Sequence, residues 1–277
     1  MYGKIKRMNR LFDKESNHTL LIPMDHGATV GPIDGIEKIS NTIQQYKENL
    51  VNGIILCKGQ LNNIEIISKC NIPIIMHLSN SSLLSPDTNN KVIVGSVESA
   101  VAMGADAVSV HINMGDKYEA DMLKGVGKIS DECFRWGMPL LAMMYVRGGT
   151  NKEDGRNVKM AARLAQEIGA DIVKIKYIDF QSLKETIEGV TIPIVAAGGE
   201  HSSRIETLKL AKEIMDAGAA GISFGRRIFQ DENPKQLIKA LSMIVHENRD
   251  IEYVNEYIMG EAVSYTHLRA HETVLDL

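Results

Sequence analysis

Two lysines stand two places apart in GADIVKIKY, residues 169–177, inside an otherwise apolar run. Lysine is among the residues least often buried, while a short run rich in isoleucine and valine reads as a buried strand. Strand side chains alternate, so Lys174 and Lys176 share one face and Val173, Ile175 and Tyr177 take the other. In a confined site, burial and a like-charged neighbour both lower a lysine pKa. A neutral amine produced in this way can attack a carbonyl and form a Schiff base. Spacing alone leaves two other uses open. The pair can point outward and cap helix carbonyls, or one lysine can simply bind phosphate.

Glycines carry a second signal. AAGGE (196–200) and FGRRIF (224–229) each close an apolar run. Gly198, Gly199 and Gly225 would let backbone N–H groups approach phosphate oxygens, and Arg226 would supply a bidentate clamp. The bland alternative is a pair of ordinary tight turns. Asp25 and His26 suit either general acid–base work or zinc ligation, the latter with His77 and His111. None of these histidines shows a ligand spacing such as HxH or HExxH, so structural histidines are the better expectation and no metal is assigned. Tyr145, two residues before Arg147 and just ahead of a Gly-Gly turn, is either packing or a proton donor beside a Schiff base.

The elements that must position these residues alternate along the chain. Apolar runs at 19–27, 52–59, 72–79, 106–113, 138–149, 171–177, 192–199 and 220–229 read as strands. Amphipathic stretches at 35–50, 62–70, 96–104, 117–136, 157–169, 180–189, 204–218 and 233–247 read as helices. Ser96 is placed to cap its helix, with Glu98 in the first turn, and Gly169 closes another. A ninth apolar run, KVIVGS (91–96), reads as a short extension of the third crossover. Parallel strands need long crossovers, so this alternation argues for a parallel sheet. Eight units in 277 residues argue for a single-domain α/β fold, a closed (β/α)₈ barrel spanning 1–262. Active sites of such barrels lie at the C-terminal ends of the strands. There the chain places Asp25, His26, Lys58, His77, Ser79, His111, Tyr145, Arg147, Lys174, Lys176, Gly198, Gly199, Gly225 and Arg226.

Composition narrows the class. Hydrophobic residues make up 44% and the net charge is −4, so a large core is available and no nucleic-acid or anionic-membrane partner is expected. No segment approaches the ~18 consecutive apolar residues of a membrane span. The basic N-terminal stretch precedes no long apolar run and is not read as a signal peptide. Three cysteines without metal-type spacing suit a reduced cytoplasm.

Taken in order across about residues 3–248, MDHG…GPIDG, HLSNSSLLSP, KVIVGSVESAVAMGADAVSVHIN, WGMPLLAMMYVRGG, GADIVKIKY, AAGG and GRRIFQ resemble the archaeal-type class I aldolases. The resemblance implies a barrel that holds a phosphorylated ketose as a lysine Schiff base and cleaves or transfers a three-carbon unit, with no cofactor. Carried across by motif, it makes Lys174 the Schiff-base lysine and Tyr145 and Asp25 the proton-transfer residues. It makes His26, Lys176 and Arg147 substrate contacts, and puts phosphate on Gly198, Gly199, Gly225 and Arg226. Lys176 would help to keep the Lys174 amine neutral. The best-matching member of that family implies aspartate semialdehyde as acceptor, in the supply of aromatic amino-acid precursors. The family also implies a cytoplasmic homo-oligomer, often a decamer.

Three loops depart from the family pattern. Val146 follows the tyrosine where proline is usual, YIDF (177–180) replaces a Tyr-Thr-Gly-Asp turn, and GGEH (198–201) replaces GGPK. All three touch loops that shape the substrate pocket. Fructose-1,6-bisphosphate aldolase therefore stays as an alternative activity, and a catalytically silent phosphosugar-binding barrel as an alternative class. The terminal SYTHLRAHETVLDL (264–277) matches nothing before it. Residues 263–277 are read as a non-native tail without function.

Overall fold

The computed structural model describes residues 2–46, 49–63, 70–149 and 152–258. The helix expected over 62–70 falls mostly, and the tail wholly, outside them. In chain order the elements begin with α1 (Tyr2–Leu11), β1 (Thr19–Pro23), α2 (Gly27–Val30), α3 (Ile39–Ile43) and β2 (Gly53–Cys57). Next come β3 (Ile74–His77), β4 (Ser79–Asn80), β5 (Val92–Ile93), α4 (Val97–Ala102), β6 (Ala107–Met114), α5 (Glu119–Trp136) and β7 (Leu140–Val146). The chain continues with α6 (Gly155–Glu167), β8 (Ile172–Lys176), α7 (Phe180–Glu188) and β9 (Ile194–Ala197). It closes with α8 (Arg204–Asp216), β10 (Gly221–Ser223), α9 (Arg226–Phe229) and α10 (Pro234–Glu247).

Eight of the strands close into a parallel barrel in the order β1-β10-β9-β8-β7-β6-β3-β2, the (β/α)₈ architecture expected from the alternation. Each barrel strand is buried on both faces. Outward residues such as Val173 and Ile175 on β8 pack with the helices in a large cluster. Leu21, Ile55, Ile75, Leu141, Ile172 and Val195 fill the interior. Ile172 and Lys174 lie on the same face of β8, so Lys174 points inward, one layer above the apolar plug. By the same alternation Asp25, His77, His111 and Tyr145 follow the inward-facing residues of β1, β3, β6 and β7.

The expected caps form. Ser96 Oγ accepts from Ser99 N at 3.1 Å, and Gly169 takes φ +90° just after α6. The ninth run becomes β5, which pairs antiparallel with β4 outside the barrel. This hairpin carries residues 81–91 toward the barrel mouth.

Several elements differ from the sequence reading: the helix expected over 35–50 is confined to Ile39–Ile43 among the described residues, the short α2 was not expected, and two further differences bear on the ends of the barrel. The last strand stops at Ser223, and RRIF, expected as strand, forms the helix α9, where Ile228 N donates to Gly225 O at 2.8 Å. Short apolar runs do not distinguish strand from helix by periodicity. The break comes at Gly225, whose chain passes so close to β1 that a Cβ there would lie 2.7 Å from Pro23 O. The second difference is α1, to which no element was assigned. It lies across the N-terminal end of the barrel and inserts Leu11, fully buried, into the interior cluster. Among the described residues no helix is long and apolar enough to cross a membrane.

Candidate active site

A cavity of about 540 Å³ opens at the C-terminal ends of the strands. Its lining brings together Asp25, His26, His77, Tyr145, Arg147, Lys174 and Arg226, residues from five strand ends that only the closed barrel makes neighbours. Lys174 is only 5% exposed. Burial is the main cause that pulls its amine down to about 8. Asp25 opposes the shift and Arg226 adds to it. No hydrogen-bond acceptor holds the amine among the described residues, so it is free to meet a ligand in the cavity.

Asp25 lies between two imidazoles. His77 Nε2 is 3.7 Å from its Oδ2, and His26 Nδ1 is 3.9 Å from its Oδ1. Burial works against the Asp25 charge, but His77, His26 and Lys174 together overcome it and bring the carboxyl to about 2. Burial also holds both imidazoles below their ordinary value. Lys174 adds a third positive neighbour to Asp25. The other ring nitrogen of His77 shares a hydrogen bond with Ser109 Oγ at 2.8 Å, and His111 Nε2 shares one with Asn113 Oδ1 at 2.9 Å. Among the described residues no group of three or more His, Cys, Asp or Glu side chains is arranged to hold a metal ion.

Tyr145 lies against the His111 ring, with centroids 4.8 Å apart, and Arg147 Cζ sits 4.7 Å from the Tyr145 centroid. Burial, assisted by Asp25 and Glu153, pushes the phenol up to about 12 although Arg147 pulls it back. The hydroxyl therefore stays protonated at working pH and can donate to a developing oxyanion.

Arg226 and Arg227 divide their work. Arg227 hydrogen-bonds Gly198 O and Ser202 Oγ and so ties together the loop after β9. Arg226 faces the cavity, paired with Glu200, and its buried Nε has no partner among the described residues. Gly198 and Gly225 are buried. Neither their N–H groups nor that of Gly199 find an acceptor among the described residues. Buried backbone N–H groups are rarely left unpaired. These unpaired donors lie at the ends of β9 and β10, beside Arg226.

With this geometry, residues 19–231 match the DeoC/LacD family aldolase domain. The chain belongs to that family. A 2-amino-3,7-dideoxy-D-threo-hept-6-ulosonate synthase of Archaeoglobus fulgidus is 42% identical over 257 residues, which cover 93% of this chain and 96% of that protein. The enzyme of the same name from Halobacterium salinarum is 38% identical over 90% of this chain and 94% of its own. Among solved structures, a Schiff-base-forming fructose-1,6-bisphosphate aldolase superposes with a TM-score of 0.79 at 26% identity, covering 87% of this chain and 99% of that one. An archaeal fructose-1,6-bisphosphate aldolase, captured with its catalytic lysine bound to a carbinolamine intermediate, gives 0.77 at 26% identity over 88% and 99%.

In this aldolase the structure corrects the expectation for Lys176. It shares a face with Lys174 but stands at the rim, half-exposed and 2.8 Å from Glu153 Oε2. It does not line the cavity, and the cation that lowers the Lys174 amine is Arg226. Gly198, Gly199 and Gly225 do not line the cavity themselves but stand at the ends of β9 and β10 beside Glu200 and Arg226, which do. Sequence reading missed Lys91, which is 9% exposed and lines the cavity. The available signal was a lysine at the start of an apolar run, weaker than the lysine pair inside a run that marked Lys174. It also missed Glu200 as the partner of Arg226, although GGEH was recognised as a departure.

Proposed function

We propose that this protein is a class I aldolase or transaldolase acting on a phosphorylated ketose, with Lys174 as nucleophile. The observation that carries the proposal is the buried Lys174 amine, held at about 8 in a cavity with Asp25 and Tyr145. At pH 7 roughly a tenth of such an amine is neutral. The neutral amine adds to the ketose carbonyl, water leaves, and the iminium draws electrons from the neighbouring carbon–carbon bond. When that bond breaks, a base takes the proton of the adjacent hydroxyl, an aldehyde departs and an enamine remains. The enamine carbon then adds to an incoming aldehyde or takes up a proton. Hydrolysis of the resulting iminium returns Lys174. Asp25, held ionised, receives and returns protons. Tyr145 donates to the oxygen on which charge develops. Arg226 and the N–H groups of Gly198, Gly199 and Gly225 hold the phosphate, and His26 and Arg147 contact substrate.

Identities of 42% and 38% to the named synthases support 2-amino-3,7-dideoxy-D-threo-hept-6-ulosonate synthesis, with L-aspartate semialdehyde as acceptor. Fructose-1,6-bisphosphate cleavage is the second reading, favoured by the structural neighbours. The family relation supports a cytoplasmic homo-oligomer, which light scattering of the purified protein would test. The deciding experiment adds borohydride to protein and donor ketose and maps the adduct. Reduction of the iminium should leave the donor on Lys174 as a secondary amine. Product analysis by mass spectrometry with L-aspartate semialdehyde or glyceraldehyde 3-phosphate separates the two activities. Ketose binding without an adduct or product would instead indicate the silent barrel. Activity should survive prolonged EDTA dialysis; loss restored by zinc would move the assignment to metal-dependent aldolases.

A further inference from the structure

The cavity is electrostatically lopsided. Lys91, Arg147, Lys174 and Arg226 line it, against the carboxylates of Asp25 and Glu200. The cations fall into two groups on opposite sides of Lys174. Arg226 follows β10, two strands away in one direction. In the other direction Arg147 ends the adjacent strand β7, and Lys91 precedes β5 in the hairpin beside β3 and β6. Arg226 has Glu200 as partner. Lys91 and Arg147 have no carboxylate within ion-pair distance among the described residues. Lys91 is nonetheless 9% exposed, and its ammonium donates to Ser81 Oγ at 2.5 Å. Arg147 lies over the Tyr145 ring. Burial, with repulsion from Arg147, lowers the Lys91 pKa against the attraction of Asp25, so the two cations are close enough to disfavour each other.

The hairpin that holds Lys91 is tethered. Asn113 Nδ2 donates to Asn89 O at 2.7 Å, and Tyr118 Oη donates to Asp87 Oδ2 at 3.1 Å. Lys91 is buried and Arg147 exposed, neither is in a direct ion pair among the described residues, and an anion seated between them would supply the contact that the more distant Asp25 does not.

We infer that Lys91 and Arg147 form a second anion subsite, which reads the charged end of the aldehyde fragment. This rests on the aldolase reading above. In bond cleavage and in the reverse addition, the leaving and the incoming aldehyde occupy the same place on the far side of the Schiff base. The fragment's carbonyl carbon meets the enamine beside Tyr145, and its far end reaches Lys91 and Arg147. The ligand chemistry is an aldehyde ending in carboxylate or phosphate, with Arg226 left to the donor's own phosphate.

The test compares the intact protein with Lys91→Met and Lys91→Arg. Acceptors are L-aspartate semialdehyde, glyceraldehyde 3-phosphate and uncharged glyceraldehyde. Lys91→Met should raise KM tenfold or more for the charged aldehydes and leave glyceraldehyde and borohydride trapping of donor unchanged. Lys91→Arg should recover most of the loss. The larger penalty identifies carboxylate or phosphate as the natural end. Equal losses with charged and neutral aldehydes, or no loss at all, would overturn the subsite. A second readout needs no turnover: calorimetric affinity for glycerol 3-phosphate, an unreactive fragment mimic, measured in an Arg226→Met background. Tenfold weaker binding on adding Lys91→Met supports the subsite, and unchanged affinity overturns it. If the intact protein traps no donor, the Schiff-base reading fails while this affinity still decides the subsite.

Discussion

The two ends of the barrel use the same residue types to opposite effect. At the N-terminal end Lys4 pairs with Asp171 at 2.9 Å, and Arg10 pairs with Asp106. Each carboxylate also accepts a strand N–H, from Leu140 at 2.9 Å and from Ile74 at 3.0 Å. Arg7 donates to Gly137 O at 3.0 Å. Helix α1 thereby closes the barrel with a ring of satisfied charges around Leu11. At the C-terminal end Lys174, Lys91 and Arg147 lack such partners among the described residues, and Asp25 faces imidazoles at distances too long for hydrogen bonds. A lysine or aspartate in either place is equally polar. Whether its bonding capacity is closed by protein or left for a ligand separates a structural charge from a functional one.

That contrast breaks most sharply at Lys174. Replacing it with alanine should lower turnover by at least about 10⁴-fold and abolish borohydride trapping, while urea unfolding shows no loss of stability. Equal turnover in the variant would end the nucleophile assignment. The counterpart below is Leu11→Ala, which should cost about 2–5 kcal/mol in urea unfolding with kcat/KM intact at 25 °C. A variant that keeps its stability would show that α1 does not seal the barrel.

Arg226→Met should raise KM for a phosphorylated donor by roughly 10–100-fold, the worth of a charge-assisted contact, and scarcely affect a dephosphorylated donor. It should also move the ascending, acid-side limb of the rate profile. Neutral amine is the reactive form, so activity rises with pH through the Lys174 value near 8. Removing a neighbouring cation makes protonation easier, raises that value and shifts the limb to higher pH. Lys176→Ala, acting on a lysine already paired with Glu153, should leave the limb in place. A shift in Lys176→Ala and none in Arg226→Met would reverse the assignment. The smallest effect belongs to Glu200→Gln. It frees Arg226 from an exposed ion pair, so donor KM should fall by about two- to five-fold. A rise instead would make Glu200 a contributor to binding.

Much of the fold is legible in the chain because period and punctuation agree there. The run 169–177 alternates as a strand should, Gly169 ends the preceding helix, and Ser96 caps the next one it was assigned to. Helix α1 was not legible. Its exposed face is basic, and the Leu11 that anchors it has meaning only once a barrel interior exists to receive it. The strand expected through 229 failed because the close approach of Gly225 to Pro23 is a long-range fact. In the site, alternation put Lys174 and Lys176 on one face, and only the interior packing of Ile172 shows that this face points inward. The role given to Lys176 did not hold, because alternation fixes a face but not a depth.

By itself, the sequence determined the strand–helix alternation, the barrel it closes into, and that Lys174 and Lys176 share one face of their strand. Those follow from local rules, namely hydrophobic period, capping and the two-residue repeat of a strand. Only the tertiary structure decided which charges are neighbours. Asp25 meets Lys174 across the barrel, Glu153 takes Lys176 at the rim, and the hairpin of β4 and β5 brings Lys91 to Arg147. Electrostatic effects depend on separation and burial in space, and neither quantity is set by distance along the chain.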